Sequence, residues 1–165
     1  MKHFQHTLTV AAPPAAVYAA LSTIDGLRQW WSRDCDGESE LGGTIRFRFG
    51  VCHNAMRVDR LVPGHEVGWH CTDAHTVGDS VTQPAEWVGT APQFHLSAAD
   101  ADAGGTRVVF EHVGLTPALE CHAMCVKGWT HFLGSLQQYL ETGEGTPYIG
   151  ATVPTTPSLE RSAAA

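Results

Sequence analysis

The amino-acid sequence predicts a single α+β domain in which a curved antiparallel sheet of about six or seven strands wraps one long C-terminal helix. Three observations predict it. Short alternating segments recur up to residue 113, a longer segment with helical spacing follows, and two short helical patterns separate the first strand from the others. Because consecutive antiparallel strands leave the helices together on one side, this order is typical of α+β domains.

The first strand and the two short helices lie within the first 31 residues. Residues 3–10 alternate apolar and polar side chains, which is the period of a half-buried strand. Two prolines end this strand and favour the first turn of a helix over residues 14–22. A second short helix follows, and Asp25 is its predicted cap.

The middle of the chain is predicted to be a meander of strands. Gly42 and Gly43 open it, and the segment 72–85 has neither the helical nor the strand period and is predicted to be a loop. The predicted strands are the apolar-polar alternations at residues 45–49, 54–62, 67–71, 86–96 and 106–113.

The long helix is predicted from Thr116 to Glu141, with Pro117 in its first turn and Gly143 at its C-terminal stop. We expect the domain to span residues 1–147 and residues 148–165 to form an extended or disordered tail. A sheet that curls around one helix cannot pack tightly along its whole length. The sequence therefore predicts an apolar cavity between them.

Composition and charge exclude several classes of partner. The net charge is −7 and the ten Lys and Arg residues form no run, which disfavours nucleic acid and anionic membrane surfaces. The N-terminus has no apolar signal segment, so we expect a cytoplasmic protein. The five cysteines are odd in number and irregularly spaced, which favours reduced thiols in a reducing compartment.

The predicted cavity should present aromatic, soft apolar and thiol side chains to a ligand, with one histidine. Simple core packing explains any single member equally well, so only their convergence indicates a pocket. Adjacent Trp30 and Trp31 point in different directions on a helix, and we expect one to anchor the core and the other to form the pocket mouth. The candidate ligand-binding residues are Trp30, Phe47, Phe49, Met56, Trp69, Trp87, Phe94, Phe110, His112, Cys121, Cys125, Trp129 and Phe132.

His112 is the candidate catalytic residue, because it shares the inward face of the last strand and could act as a general base. Its possible partners are Glu86, Asp59 and Arg60. Cys121 or Cys125 is a candidate nucleophile if the histidine lies within hydrogen-bond reach. The alternative is a buried histidine satisfied by a backbone group or a tyrosine.

No metal or cofactor is predicted. The cysteines and ten histidines include the ligand types that zinc prefers, but adjacent strand residues such as Cys52 and His53 point to opposite faces. Cys121 and Cys125 are spaced to chelate on a helix, although buried thiols that pack as small hydrophobic groups explain them more simply. Phosphate-cradling and dinucleotide-binding motifs do not occur in the sequence.

A set of weak motifs in a fixed order gives the chain a resemblance to a known superfamily. They are Ala12-Pro13, Val17-Tyr18, Trp30-Trp31, Gly42-Gly43, Trp69, Gly105-Thr106, His112 with Gly114, Gly128-Trp129, Leu133, Leu136, Tyr139-Leu140 and Gly143. Together they resemble the SRPBCC, or START-like helix-grip, superfamily of the birch-pollen allergen and polyketide cyclases. More narrowly, they resemble its bacterial branch of homologues of a heat-shock chaperone ATPase activator.

The resemblance implies a helix-grip fold but leaves the activity open, since members bind lipids, hormones or polyketides, catalyse cyclisation or hydrolysis, or assist chaperones. We expect a protein that binds a small hydrophobic molecule, as a monomer or a homodimer. Two alternatives stay open. One is a cyclase-like or hydrolase-like enzyme that uses His112, and the other is an interaction module that resembles chaperone co-factors.

Overall fold

The strands and helices follow the predicted order. The computed structural model describes residues 2–99 and 104–150, and within them the chain forms seven strands and three helices. These are β1 Phe4–Val10, α1 Pro14–Ser22, α2 Ile24–Trp30, β2 Cys35–Gly37, β3 Thr44–Phe49, β4 Cys52–Val62, β5 Glu66–His75, β6 Ala91–Ala98, β7 Thr106–Val113 and α3 His122–Thr142.

The strands form one antiparallel sheet in the order β1-β7-β6-β5-β4-β3-β2. β1 joins the far end of the meander by pairing with β7, where Phe4 lies opposite His112. The β4–β5 pair shifts register twice, between Ala55 and Met56 and again near Val58. Because bulges bend and twist a strand, they help the sheet to curve around α3.

The core lies between the concave face of the sheet and one face of α3. Along β7, Val108, Phe110 and His112 are buried while Arg107 is exposed, as the alternation predicts. On α3, Cys125, Trp129, Leu133 and Leu136 form the buried stripe. The predicted α+β helix-grip fold is thus confirmed.

The first two helices agree with the prediction except at one cap. The Thr23 hydroxyl accepts the backbone N–H of Gly26 at 3.0 Å, so Thr23 is the N-cap of α2 and Asp25 lies within its first turn. A cap must precede the first helical residue, and α2 begins at Ile24.

Four differences from the prediction exceed two residues. β5 continues to His75, so the segment predicted as a loop from residue 72 begins four residues later. The short edge strand β2 was not predicted, because three residues are too few to show a period. The strand predicted from residue 86 begins at Ala91, because the backbone turns between Ala85 and Thr90. The helix predicted from Thr116 begins six residues later, at His122, although Gly143 ends it as predicted with φ +89°.

The predicted domain boundary at residue 147 is too early. Tyr148 pairs with Ser32 in a short parallel bridge, and its backbone N–H donates to the Trp31 carbonyl at 2.9 Å. The domain therefore includes Tyr148. The part of the predicted tail after residue 150 lies outside the described residues.

Of the helices described, none is long and apolar enough to cross a membrane.

Gly26 permits the close crossing of α1 and α2. A Cβ at this position would lie 2.7 Å from the carbonyl oxygen of Ala19 and 2.7 Å from the Cα of Ala20, both backbone atoms of α1. We expect Gly26→Ala to lower the free energy of unfolding by roughly 1 to 3 kcal/mol, the usual cost of overpacking. Urea denaturation measures this change.

The matched control is Gly134→Ala. Gly134 lies on the exposed face of α3, and a Cβ there meets nothing within 4 Å. Alanine should raise the free energy of unfolding by about 0.5 to 1 kcal/mol at such a site. Equal effects at the two glycines would contradict the packing role of Gly26.

Candidate ligand-binding cleft

An apolar cleft of about 280 Å³ lies between the N-terminal half of α3 and the neighbouring ends of β3, β4 and β5. The chain segments that enclose it come from both layers of the fold, so it forms where helix and sheet diverge. Its lining residues are Trp31, Phe49, Cys52, His53, Asn54, Thr76, Trp87, Met124, Cys125, Gly128, Trp129, Phe132 and Tyr148.

Stacked indoles hold the aromatic walls of the cleft in place. The ring of Trp31 stacks on Trp129 with centroids 5.0 Å apart and on Trp69 at 5.5 Å. Trp87 lies parallel to Trp129 at 6.1 Å, with 2° between the ring planes. Because the rings pack on one another, flat apolar walls exist before any ligand arrives.

Five of the predicted residues line this cleft: Phe49, Trp87, Cys125, Trp129 and Phe132. The others lie in the packed core outside it, each no more than 1% exposed: Trp30, Phe47, Met56, Trp69, Phe94, Phe110, His112 and Cys121. Alternation shows which strand positions face inward, but it cannot show which of these meet a helix and which meet the cleft.

Trp30 was predicted as a ligand-binding residue, but Trp31 is the tryptophan that lines the cleft. The Trp30 indole N–H donates to the Ala20 carbonyl at 2.9 Å, which fixes Trp30 against α1. Trp31 follows the last residue of α2 and lines the cleft. One indole therefore anchors the core and the other forms the wall, as expected, but the wall residue is Trp31.

Asn54 is the most informative residue that the sequence reasoning missed. Its side chain lines the cleft and is 6% exposed, and its Oδ1 is the one buried side-chain N or O atom in the described residues that has no hydrogen-bond partner. An unpaired buried polar atom is costly. The signal was present in the sequence, as a polar residue at the same alternation position as Met56 and Val58.

His112 does not line the cleft, and it is fully buried behind two of the indoles. Its Nδ1 accepts the Trp129 indole N–H at 3.0 Å, so its Nε2–H donates to the Thr90 hydroxyl at 2.8 Å. That hydroxyl in turn donates to the Trp87 carbonyl at 2.6 Å. Burial lowers the pKa of His112 to about 3, so the ring is neutral near pH 7.

This arrangement contradicts the predicted role of His112 as a general base. Both ring nitrogens are occupied by protein partners, and no face of the ring reaches the cleft. The alternative of a satisfied buried histidine holds, although its partners are Thr90 and Trp129. His112 also makes no hydrogen bond to Cys121 or Cys125, so it does not activate either thiol.

Glu86, a suggested partner of His112, instead binds the two residues that precede α3. Its carboxylate accepts the backbone N–H groups of Glu120 and Cys121 at 3.0 and 3.1 Å. The Glu120 carboxylate reciprocates by accepting the backbone N–H groups of Thr82 and Gln83 at 2.7 and 2.9 Å. We call these two glutamates the carboxylate clasp, and it holds the segment that carries Trp87 against the start of α3.

The cysteines are all free, and they differ in environment. Burial raises the pKa of Cys71 to about 11 and also raises that of Cys35. Cys125 Sγ accepts the Trp87 indole N–H at 3.2 Å. The neighbouring Cys121 thiol and the Trp87 N–H lower the pKa of Cys125 against the opposing effect of burial, whereas the pKa of Cys121 is raised.

No three His, Cys, Asp or Glu side chains within residues 2–99 and 104–150 are grouped so that they could hold a metal ion.

A curved antiparallel sheet around a long C-terminal helix, with an apolar cleft between them, defines the helix-grip class of proteins. Within this class, the chain belongs to the family described as "Activator of Hsp90 ATPase homolog 1-like protein", whose model matches residues 11–141. The predicted resemblance is therefore confirmed. The chain has no match among curated proteins.

Solved structures agree with this assignment. The chain is similar to the Aha1 protein of Colwellia psychrerythraea, described as a dimer in solution, with 33% identity, a TM-score of 0.73, and coverage of 88% of this chain and 100% of that one. DynU16, a putative protein of the dynemicin biosynthetic locus, shares the fold at 21% identity and a TM-score of 0.68, over 88% of this chain and 49% of that one. CalU16 of Micromonospora echinospora shares it at 17% identity and a TM-score of 0.63, over 86% and 75%.

The neutral buried state of His112 makes a testable contribution to acid sensitivity. An unfolded histidine binds a proton below about pH 6.5, whereas folded His112 resists protonation until about pH 3. The stability from this group is complete above pH 6.5. As the pH falls from there towards 3, it should be lost by about 1.4 kcal/mol per pH unit.

The measurement is the free energy of unfolding by urea at several pH values between 7 and 4.5, for the wild type and for His112→Gln. The variant should be less stable at pH 7. Its free energy of unfolding should also fall less steeply as the pH is lowered, because it lacks the protonation of His112 in the unfolded chain. Parallel curves would contradict a neutral buried histidine.

Proposed function

We propose that this protein binds a small, flat, mainly apolar molecule that carries one hydrogen-bonding group. The observation that supports it best is Asn54, a buried side chain in the wall of a preformed aromatic cleft whose Oδ1 has no hydrogen-bond partner. Leaving such an atom unpaired costs about 1 to 3 kcal/mol. A ligand that donates a hydrogen bond to this oxygen would recover this free energy.

The chemistry of the wall supports the class of ligand. Indole and phenyl faces favour flat rings, and Asn54 offers both a carbonyl acceptor and an amide donor. The cleft volume of about 280 Å³ lies near the lower end of the roughly 300 to 1,000 Å³ typical of ligand pockets. One or two fused rings would suit it better than a long lipid chain.

Gly128 supports the proposal from the side of the helix. It lies in α3 on the cleft wall, and a Cβ placed there meets no atom within 4 Å. Glycine inside a helix weakens it by roughly 0.5 to 1 kcal/mol relative to alanine. A residue that keeps space open at the expense of helix stability is typical of a ligand-binding site.

Self-association is a further proposal, which the dimeric Aha1 relative supports. Three exposed apolar residues belong to this region. Met124 lines the cleft, and Val51 and Val77 are chain neighbours of lining residues. The same residues could meet a chaperone, as the family description suggests. Light scattering of the purified chain distinguishes a monomer from a dimer.

The five free thiols support the expected reducing, cytoplasmic location.

Filling the cleft from Gly128 should abolish binding without unfolding the protein. We expect Gly128→Leu to weaken the binding of prodan, a naphthalene ketone whose fluorescence shifts to the blue in apolar surroundings, by at least about tenfold, because its side chain would occupy the space the dye requires. Fluorescence titration measures the dissociation constant.

Gly134→Leu is the control for this experiment. It introduces the same side chain into the same helix, but on the exposed face. Its dye binding should equal that of the wild type. The absence of saturable prodan binding by the wild type, or equal loss in both variants, would contradict the cleft as the site.

Asn54→Leu should separate binding from stability. Because leucine has a similar size and no unpaired amide, we expect the free energy of unfolding to stay the same or to rise by about 1 kcal/mol. The binding of 2-naphthol, a fluorescent naphthalene whose hydroxyl can donate to Asn54 Oδ1, should weaken by roughly two- to tenfold, the equivalent of one hydrogen bond. A destabilised variant that binds 2-naphthol normally would show that Asn54 is a structural residue.

A further inference from the structure

We propose that Cys125 is a nucleophile in the cleft and that it captures ligands with a soft electrophilic centre, of the α,β-unsaturated carbonyl class. This inference rests on the proposed ligand-binding function and adds a covalent step to it. It depends on two residues of the same cleft, the thiol of Cys125 and the indole N–H of Trp87.

The geometry presents the sulfur of Cys125 to a ligand while the protein stabilises its thiolate. Cys125 lines the cleft near the start of α3, where helix dipoles favour negative charge. The Trp87 indole N–H donates to its Sγ at 3.2 Å. The carboxylate clasp fixes the segment of Trp87, and hence this donor.

Other charged and titratable groups near Cys125 act in different directions. The Glu86 carboxylate opposes the thiolate, because it places a negative charge on the preceding turn. Cys52, His53 and Tyr148 line the same cleft. The neighbouring Cys121 thiol and the Trp87 N–H outweigh the effects of burial and of Glu86, and the pKa of Cys125 lies below its ordinary value.

The other cysteines lack this combination. Cys35, Cys71 and Cys121 are buried and do not line the cleft, and the pKa of each is raised. Cys52 does line the cleft, and its sulfur accepts the backbone N–H of Val77 at 3.4 Å while its thiol donates to the Val77 carbonyl at 3.8 Å. Cys52 is therefore the internal comparison for the reactivity of Cys125.

The chemistry is a conjugate addition and needs no oxidant or cofactor. The Cys125 thiolate forms a C–S bond to the β-carbon of the ligand, and the π electrons of the C=C bond move to the carbonyl oxygen as an enolate. The α-carbon then takes a proton from water, so that atoms and charges balance.

The test uses acrylodan, which is the α,β-unsaturated counterpart of prodan. The full-length wild-type protein is treated with an equimolar amount at pH 7, and the labelled cysteine is identified by mass spectrometry of its peptides. We expect Cys125 to react at least about tenfold faster than Cys52, because its thiolate is more populated and the ligand is held beside it. In urea this preference should disappear.

Trp87 positions the reacting sulfur, because its indole N–H donates to Cys125 Sγ. Trp87→Phe keeps an aromatic ring in the wall of the cleft and removes this donor. The variant should label more slowly at Cys125, and its pH–rate profile should move to higher pH. An unchanged profile would overturn the role of this hydrogen bond.

The two proposals fail in different ways. If prodan binds but acrylodan labels Cys52 in preference to Cys125, or labels neither, the covalent step is overturned and the binding function stands. If prodan does not bind and Cys125 reacts with acrylodan no faster than it does in urea, both the binding function and the covalent step are overturned. Cys125→Ser should lose the fast adduct, and a fast adduct that persists in this variant would overturn Cys125 as the nucleophile.

Discussion

The hydrogen bond from Trp129 to His112 joins the helix to the sheet, and the rest of the cleft depends on it. It is buried, and it continues through Thr90 to the segment that carries Trp87. Because a neutral histidine accepts on one nitrogen and donates from the other, it connects α3, β7 and that segment in a single chain. His112, which was predicted to be catalytic, instead holds the aromatic walls of the cleft in position.

Most of the fold was predictable because it depends on local periods. The alternation of residues 106–113 predicted both the extent and the inward face of β7, and the two prolines after β1 located the start of α1. The start of α3 was not predictable, because the residues before it are held by Glu86 from a distant segment. A helix end that is held by tertiary contacts leaves no local signal.

The candidate site was predictable only in part. Phe49, Trp87, Cys125, Trp129 and Phe132 reach the cleft as expected, but eight other candidates are packed elsewhere. A core and a cleft wall use the same residue types, so hydrophobicity cannot separate them. What separates them is the presence of residues that weaken a core, namely the amide of Asn54 and the missing side chain of Gly128.

Tyr148 has a consequence that concerns communication with the rest of the molecule. It lies in the wall of the cleft, and its backbone hydrogen bonds on both sides of Ser32 attach the end of the described chain to the residues after α2. A ligand in the cleft therefore contacts the residue that attaches the segment after α3 to the segment after α2. Occupancy of the cleft would hold these two segments more firmly together through this tyrosine.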